Sequence, residues 1–464
     1  MRHDPESARR QFLKLSVSAA ALAALGLTPM GRLLAQAGQP QGRVAGFGAL
    51  KPIKDLATGQ PLLMLPEGFS YTTFGWTGSP MSDGIATPGQ HDGMGVVHAE
   101  GSRLTLVRNH ECDTATKAFG PASMTYDPAV DGGTSTLIFD SEKGALLESR
   151  ASLSGTLRNC SGGITPWNSW LSCEEEVLNP GRAVFGEHVV DLRHAHGFVF
   201  DVPFDRASNA EPLVAMGQRV HEAAVVYPPS GDVYLTEDAD PVAGFYRFIP
   251  AVRNELHRGG VLWMLKAEGQ DDLRSGHRVG DRFKVKWVPV NHPDRGFSAS
   301  GKTDGNVREG LANGGSAFIR LEGCYVSREV VYFTSTSGGD AKSGQVWAYY
   351  PESEELMLVY ESPRQETLYY PDNVAMSPRG GLVLCQDSYR KEAQSLFGLT
   401  PEGGIFEFAR NNTKLEGLKG FTGDFSNAEW AGACFSPDGK WLLANIYTPG
   451  YTVAITGPWK EGLL

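Results

Sequence analysis

The chain has 464 residues, 53 acidic against 42 basic side chains, and a formal net charge of −11. That balance speaks against nucleic acid or an anionic membrane surface as a partner. The 56 glycines, the aromatic content and the scarcity of long helical periodicities favour an all-β protein. In chain order, residues 1–37 read as an export signal, to be set aside when the fold is considered. Arg9-Arg10-Gln11-Phe12-Leu13-Lys14 is a twin-arginine signature, and Ala35-Gln36-Ala37 offers a small-residue cleavage site. The apolar run from Leu15 to Leu27 is too short to span a bilayer, which takes about 20 apolar residues. The expectation is a periplasmic or secreted protein that meets the twin-arginine export machinery. Removal of residues 1–37 takes away five basic and two acidic side chains, leaving a net charge of −14. No linker divides residues 38–464, which are expected to form one domain, monomeric and without a membrane anchor.

Within that domain one short unit returns six times: a ligand-type residue, a strand, a Gly- or Pro-marked turn, a second strand and further ligand-type residues. The copies run Asp92 to Glu111, Cys160 to Glu175, Glu222 to Asp238, Glu322 to Ser335, Asp372 to Asp387 and Glu429 to Asn445. The turns are clearest at Pro228-Pro229-Ser230-Gly231, Ser377-Pro378-Arg379-Gly380 and Ser436-Pro437-Asp438-Gly439. A hairpin sets the start of its first strand beside the end of its second, opposite the turn. All six copies therefore deliver their ligand-type residues to one rim. The intervals leave room for two outer strands each, as at Leu137-Ile138-Phe139, Phe198-Val199-Phe200, Phe245-Tyr246-Arg247-Phe248 and Val346-Trp347-Ala348-Tyr349-Tyr350. Four-stranded sheets repeated radially predict a six-bladed β-propeller. The long fourth interval predicts a polar, Gly-rich loop insertion around residues 267–312, near the binding face.

The rim residues point to cations. Asp92, Glu111, Glu174, Glu175, Glu222, Glu237, Asp238, Glu322, Asp387 and Glu429 supply carboxylates that repel one another unless protonated or bridged. Oxygen donors suit Ca²⁺, and the thiol of Cys160 beside them points to a transition metal such as iron. Arg320 lies two residues before Glu322, so both side chains share one face of an extended strand. A guanidinium beside metal-bound carboxylates is a fork for phosphate, and the same spacing also serves a plain Arg–Glu ion pair. His91, His110 and His221 rank below the carboxylates as ligands. The six cysteines show no zinc-site spacing and read mostly as buried apolar fillers, although their even number permits disulfides.

Taken as a set, these segments resemble the PhoX-type alkaline phosphatases. The resemblance is carried by the twin-arginine leader, Asp92-Gly93-Met94-Gly95, Asn109-His110-Glu111, and Asn159-Cys160-Ser161-Gly162-Gly163 through Glu175. It continues in His221-Glu222-Ala223, Leu235-Thr236-Glu237-Asp238, Arg320 with Glu322-Gly323, and Ser335-Thr336-Ser337-Gly338-Gly339. It closes at Glu429, Phe435-Ser436-Pro437-Asp438-Gly439, Asn445 and Thr456-Gly457-Pro458-Trp459. The resemblance implies an exported phosphomonoesterase on a six-bladed propeller, acting on a small phosphorylated substrate with Fe³⁺ and Ca²⁺. It makes Cys160 the iron thiolate, Glu174, Glu237 and Glu322 metal carboxylates, and Arg320, with Glu237, the catalytic pair. Gln386 stands before Asp387 where the family pattern leads one to expect an acid, and Glu176 extends the Glu174-Glu175 pair. Two other readings stay open: a six-bladed, Ca²⁺-dependent lactonase or esterase, and a non-catalytic propeller whose cations are structural.

Overall fold

A computed structural model describes residues 42–464; the twin-arginine segment lies outside the described residues. Six hairpins stand where the repeats predict them. Their first strands are His91–Glu100, Asn159–Ile164, His221–Val226, Leu321–Ser327, Pro371–Met376 and Trp430–Phe435. Each pairs antiparallel with a returning strand: Arg103–His110, Ser169–Glu174, Val233–Glu237, Val330–Ser335, Leu382–Gln386 and Leu442–Ile446. The six first strands contact one another in order, and the sixth contacts the first, so they close a ring. Backbones in that ring approach too closely for side chains between them. A Cβ at Gly93 would lie 2.6 Å from Ser161 Cα, and one at Gly323 would lie 2.6 Å from Asp372 O. Glycine at these two positions is therefore a condition of the close approach of neighbouring strands in the ring.

The architecture is all-β and propeller-like, but its sheets are not six equal units. Two are four-stranded. One is built on the first hairpin; the other joins the sixth hairpin and Tyr451–Thr456 to Ser70–Phe74 from near the start of the domain. That last pairing ties the two ends of the domain together. The second hairpin carries a single outer strand, Val199–Pro203. The fifth is extended by Lys51–Ile53 and Leu63–Leu65 into six strands.

The third and fourth hairpins are fused into one nine-stranded sheet by Arg282–Val290, which pairs with Gly260–Ala267 on one edge and with Glu355–Met357 on the other. This corrects the expected loop excursion: the span 267–312 holds that strand and the helix Gly305–Ala312. Exposed Arg282, Lys284 and Lys286 alternate with Phe283, Val285 and Trp287, which pack toward one core cluster, while Val288 and Val290 pack into another. The helix covers the outer edge of the third unit, where Val307 packs into the core around Met264. Seven apolar clusters fill the spaces between sheets, holding fully buried Trp347, Trp430 and Tyr71 among others. No helix among the described residues is long and apolar enough to cross a membrane.

Candidate metal centre

The six hairpins share one register at the rim. The opening residues His91, Asn159, His221, Leu321, Pro371 and Trp430 pair with His110, Glu174, Glu237, Ser335, Gln386 and Ile446. One step inward on the first strand stand Asp92, Cys160, Glu222, Glu322, Asp372 and Ala431. One step beyond the returning strand stand Glu111, Glu175, Asp238, Thr336, Asp387 and Tyr447, and one step before the first strand stand Gln90, Arg158, Val220, Arg320, Tyr370 and Glu429. In all six units the amide of the second set donates to the carbonyl of the third: Glu111 to Gln90 at 2.9 Å, Glu175 to Arg158 at 3.0 Å, Asp238 to Val220 at 3.2 Å, Thr336 to Arg320 at 2.8 Å, Asp387 to Tyr370 at 3.1 Å, and Tyr447 to Glu429 at 3.1 Å.

Because side chains alternate along a strand, residues flanking the opening pair face the ring axis and the pair itself faces away. A register shift follows within three residues in every unit, and such bulges re-aim side chains at rims. Four of the six units add a cross-brace. Asn109 Nδ2 donates to Cys160 O at 2.9 Å, Thr236 Oγ1 to Glu322 O at 2.6 Å, Thr334 Oγ1 to Asp372 O at 2.7 Å, and Asn445 Nδ2 to Asp92 O. The backbone carbonyls of these four inward residues are thus held by the preceding unit.

What faces the axis is a buried nest of acids around one sulfur. Donor atoms of Asp92, Glu111 and Cys160 all lie within 4.8 Å of one another, as do those of Cys160, Glu175 and Glu222. Cys160 is common to both groups, and its Sγ is 3.6 Å from Asp92 Oδ2. Asp92 Oδ1 and both carboxylate oxygens of Glu222 are buried without a partner. Burial, and then their mutual charge, push the carboxyl groups of Asp92, Glu222 and Asp372 far above the usual carboxylate range. Glu429 rises in the same way, and Glu175 and Glu322 rise despite the neighbouring arginines that oppose it. Asp387 is pushed up to about 6 by burial, against the pull of Arg320. The Cys160 thiol is raised by burial and then by Asp92. Such a group cannot ionise together on its own, and oxygen donors with one thiol form a donor set that fits hard cations beside a transition metal.

Two guanidinium groups frame the nest. Arg158 donates through Nε to Glu111 at 2.9 Å and pairs with Glu175 at 3.0 Å. Arg320 donates to Asp238 at 3.1 Å and pairs with Glu322 at 2.5 Å. In each, Nη1 has no hydrogen-bond partner among the described residues. Both are held at positive φ, 44° for Arg158 and 42° for Arg320, in the same step before the first strand. Sequence reasoning chose Arg320 and missed Arg158, although Arg158 precedes Cys160 by the same two residues that separate Arg320 from Glu322. The same offset brings in Asp372, which had served only to mark the start of a repeat.

Two expected ligands are not brought to the nest. Glu174 and Glu237 occupy the opening pair and point away from the axis. Glu174 accepts from the amides of Leu157, Gly197 and Phe198 at 2.8–3.0 Å and meets His196 Nδ1 at 2.6 Å, which leaves no free donor direction for a cation. Burial alone would lower the His196 pKa, but Glu174 and Asp127 raise it to about 9. Glu237 accepts from Gly244 N at 2.9 Å and Tyr246 Oη at 2.6 Å, and burial lifts its carboxyl to about 7 against Arg219. Its expected catalytic role therefore has no geometric support at the nest. Glu175 and Asp238, one residue on, face inward in their place. His91, His110 and His221 share the outward register, and each reaches a backbone carbonyl, of Pro88, Gly89 and Gly217 respectively. All six cysteines are free and buried.

A family model described as Alkaline phosphatase PhoX matches residues 45–152 and 143–450. The chain belongs to the PhoX alkaline phosphatase family. No curated protein matches it. Among solved structures, a gluconolactonase from Xanthomonas campestris is similar at 11% identity, with 91% of this chain and 99% of that chain covered and a TM-score of 0.38. The pyranose dehydrogenase PQQ domain from Coprinopsis cinerea is similar at 10% identity, covering 87% and 98%, with a TM-score of 0.30. Within the PhoX family match lie every inward-facing acid, Cys160 and both arginines.

Proposed function

We propose that this PhoX-family protein is an exported, metal-dependent phosphomonoesterase whose six hairpins are the inner halves of six propeller blades. The common register of all six rims supports that count, with one blade short of a strand and two others fused. The observation that carries the function is the pairing of a sulfur-centred acid nest with two guanidinium groups, each ion-paired to acids of the nest and each with an Nη1 that has no hydrogen-bond partner among the described residues. Asp387 feels the charge of both arginines.

Iron would be held by Cys160 with Asp92, Glu111, Glu175 and Glu222, and Ca²⁺ by Glu322, Asp372, Asp387, Asp238 and Glu429. When bound, the cations supply Lewis acidity and neutralise charge on the phosphoryl oxygens. The chain's own residues do the rest. Arg158 and Arg320 direct Nη1 to the equatorial oxygens, as a charge-assisted bond that strengthens when negative charge builds up there. Their remaining nitrogens are locked by Glu111, Glu175, Asp238 and Glu322, so the forks need no reorganisation on binding. Burial of the nest keeps bulk water from screening these charges. The arginines also favour this reading over a lactonase, because a lactone brings no anion for two fixed cationic forks.

The test is metal analysis of protein recovered after export, alongside hydrolysis of a chromogenic phosphomonoester. Iron and calcium should be present, turnover should vanish on exhaustive chelation, and Ca²⁺ with iron should restore it. Cys160→Ala should lose iron and turnover together. Undiminished turnover after full chelation would refute the proposal, and calcium alone with lactone hydrolysis would favour the alternative.

A further inference from the structure

The mouth is not symmetric, and its asymmetry carries information about the leaving group. At the step before the first strand, where the second and fourth units present Arg158 and Arg320, the fifth presents Tyr370, held at φ 58°. Left-handed backbone is uncommon for a bulky aromatic residue, so the scaffold that aims the arginines also aims this ring. Tyr389 lies beside it, with ring centroids 5.9 Å apart at 88°. Tyr369 stacks on Tyr370, with ring centroids 4.0 Å apart. The Arg320 guanidinium carbon is 5.6 Å from the Tyr370 centroid and 5.7 Å from the Tyr389 centroid. Tyr389 is 75% exposed, the most exposed large hydrophobic side chain among the described residues.

Resting on the phosphatase reading above, we propose that Tyr389 and Tyr370 form a platform for a flat leaving group, so that aryl or nucleoside phosphomonoesters are favoured over flexible aliphatic ones. A phosphoryl group on Arg320 Nη1 places the first atoms of its ester substituent within reach of both rings. An aromatic face left open to water beside an anion clamp gains contact area when a planar group covers it; Tyr389 offers that exposed surface, and Tyr370, backed by Tyr369, holds it edge-to-face. Tyr389 is a specificity residue in this scheme; the reacting atoms stay with the nest and the arginines.

The experiment compares kcat/KM for phenyl phosphate and glycerol phosphate in the metal-loaded protein and in Tyr389→Ala, Tyr389→Phe and Tyr370→Leu. The readout is the change in the aryl-to-glyceryl ratio from parent to variant, in which intrinsic leaving-group reactivity and any general loss of folded enzyme cancel. Tyr389→Ala should lower that ratio by about threefold to tenfold, mostly through KM, as expected for one aromatic contact, and Tyr389→Phe should restore it. A ratio unchanged within twofold in both Tyr389→Ala and Tyr370→Leu overturns the platform while leaving the phosphatase intact. Failure of the parent protein to hydrolyse either ester removes the phosphatase reading and the platform with it.

Discussion

Metal removal should invert the pH dependence of this protein's stability. The perturbation is exhaustive chelation, and the groups concerned are Asp92, Glu175, Glu222, Glu322, Asp372, Asp387 and Glu429, all with carboxyl groups raised by burial in the folded chain. A raised carboxyl binds its proton more tightly when folded than when unfolded. Its stabilisation is therefore complete below the unfolded value, near pH 4, and is lost as pH rises through the folded value. For Asp387, lifted to about 6, a shift of about two units corresponds to roughly 3 kcal/mol lost between pH 4 and pH 7. The carboxyl groups of the other six are raised in the same direction and add to the loss. For a chain of this size about 1 kcal/mol moves Tm by roughly 1 °C, so chelated protein should melt several degrees lower at pH 8 than at pH 5. Cation-bound carboxylates must be ionised, so adding Ca²⁺ and iron should make Tm rise with pH instead. Thermal melts at pH 5, 6, 7 and 8, with and without cations, check both arms. A metal-free Tm that is flat or rises across that range would refute the buried-acid argument.

Arg158→Ala and Arg320→Ala should each lower kcat/KM for phosphomonoesters by about 10²–10³-fold, the scale of losing one preorganised charge-assisted donor. Steady-state kinetics would show this, together with weaker inhibition by inorganic phosphate. Arg320→Lys should recover little, because a point charge cannot hold Asp238 and Glu322 while also reaching the ligand. Glu174→Gln and Glu175→Gln should separate stability from metal binding. The first breaks a buried, fully bonded carboxylate and should cost about 3–5 kcal/mol with metal content retained; the second should lower metal content at little cost in the stability of the metal-free chain. Melting curves and elemental analysis of the two variants read this directly, and the reverse pattern would show that the assigned facing is wrong.

Much of the fold was legible along the chain because hairpins are local. Ser436-Pro437-Asp438-Gly439 encodes a turn, and Gly439 adopts φ 68° there; alternating apolar residues on either side encode the strands that flank it. Six such units were enough to anticipate a polar rim and most of its ligand-type residues, including Asp92, Cys160, Glu222 and Glu322. The strand Arg282–Val290 escaped notice although residues 282–287 alternate charged and apolar side chains, because the polar, Gly-rich stretches around it suggested a loop and its partner near 356 is remote in sequence.

The choice between Glu174 and Glu175, or between Glu237 and Asp238, lay beyond sequence reading. A single step along a strand reverses the face on which a side chain lies, and adjacent acids carry no mark of which one the register turns inward. Arg158 was overlooked for the same reason: its role depends on sharing a position with Arg320, and that equivalence exists only once the six rims are superposed in space. Residue types and their recurrence determined that an acid- and sulfur-bearing rim would form. Closure of the ring, with backbones at Gly93 and Gly323 too close to admit a side chain, decided which of those residues meet on the axis.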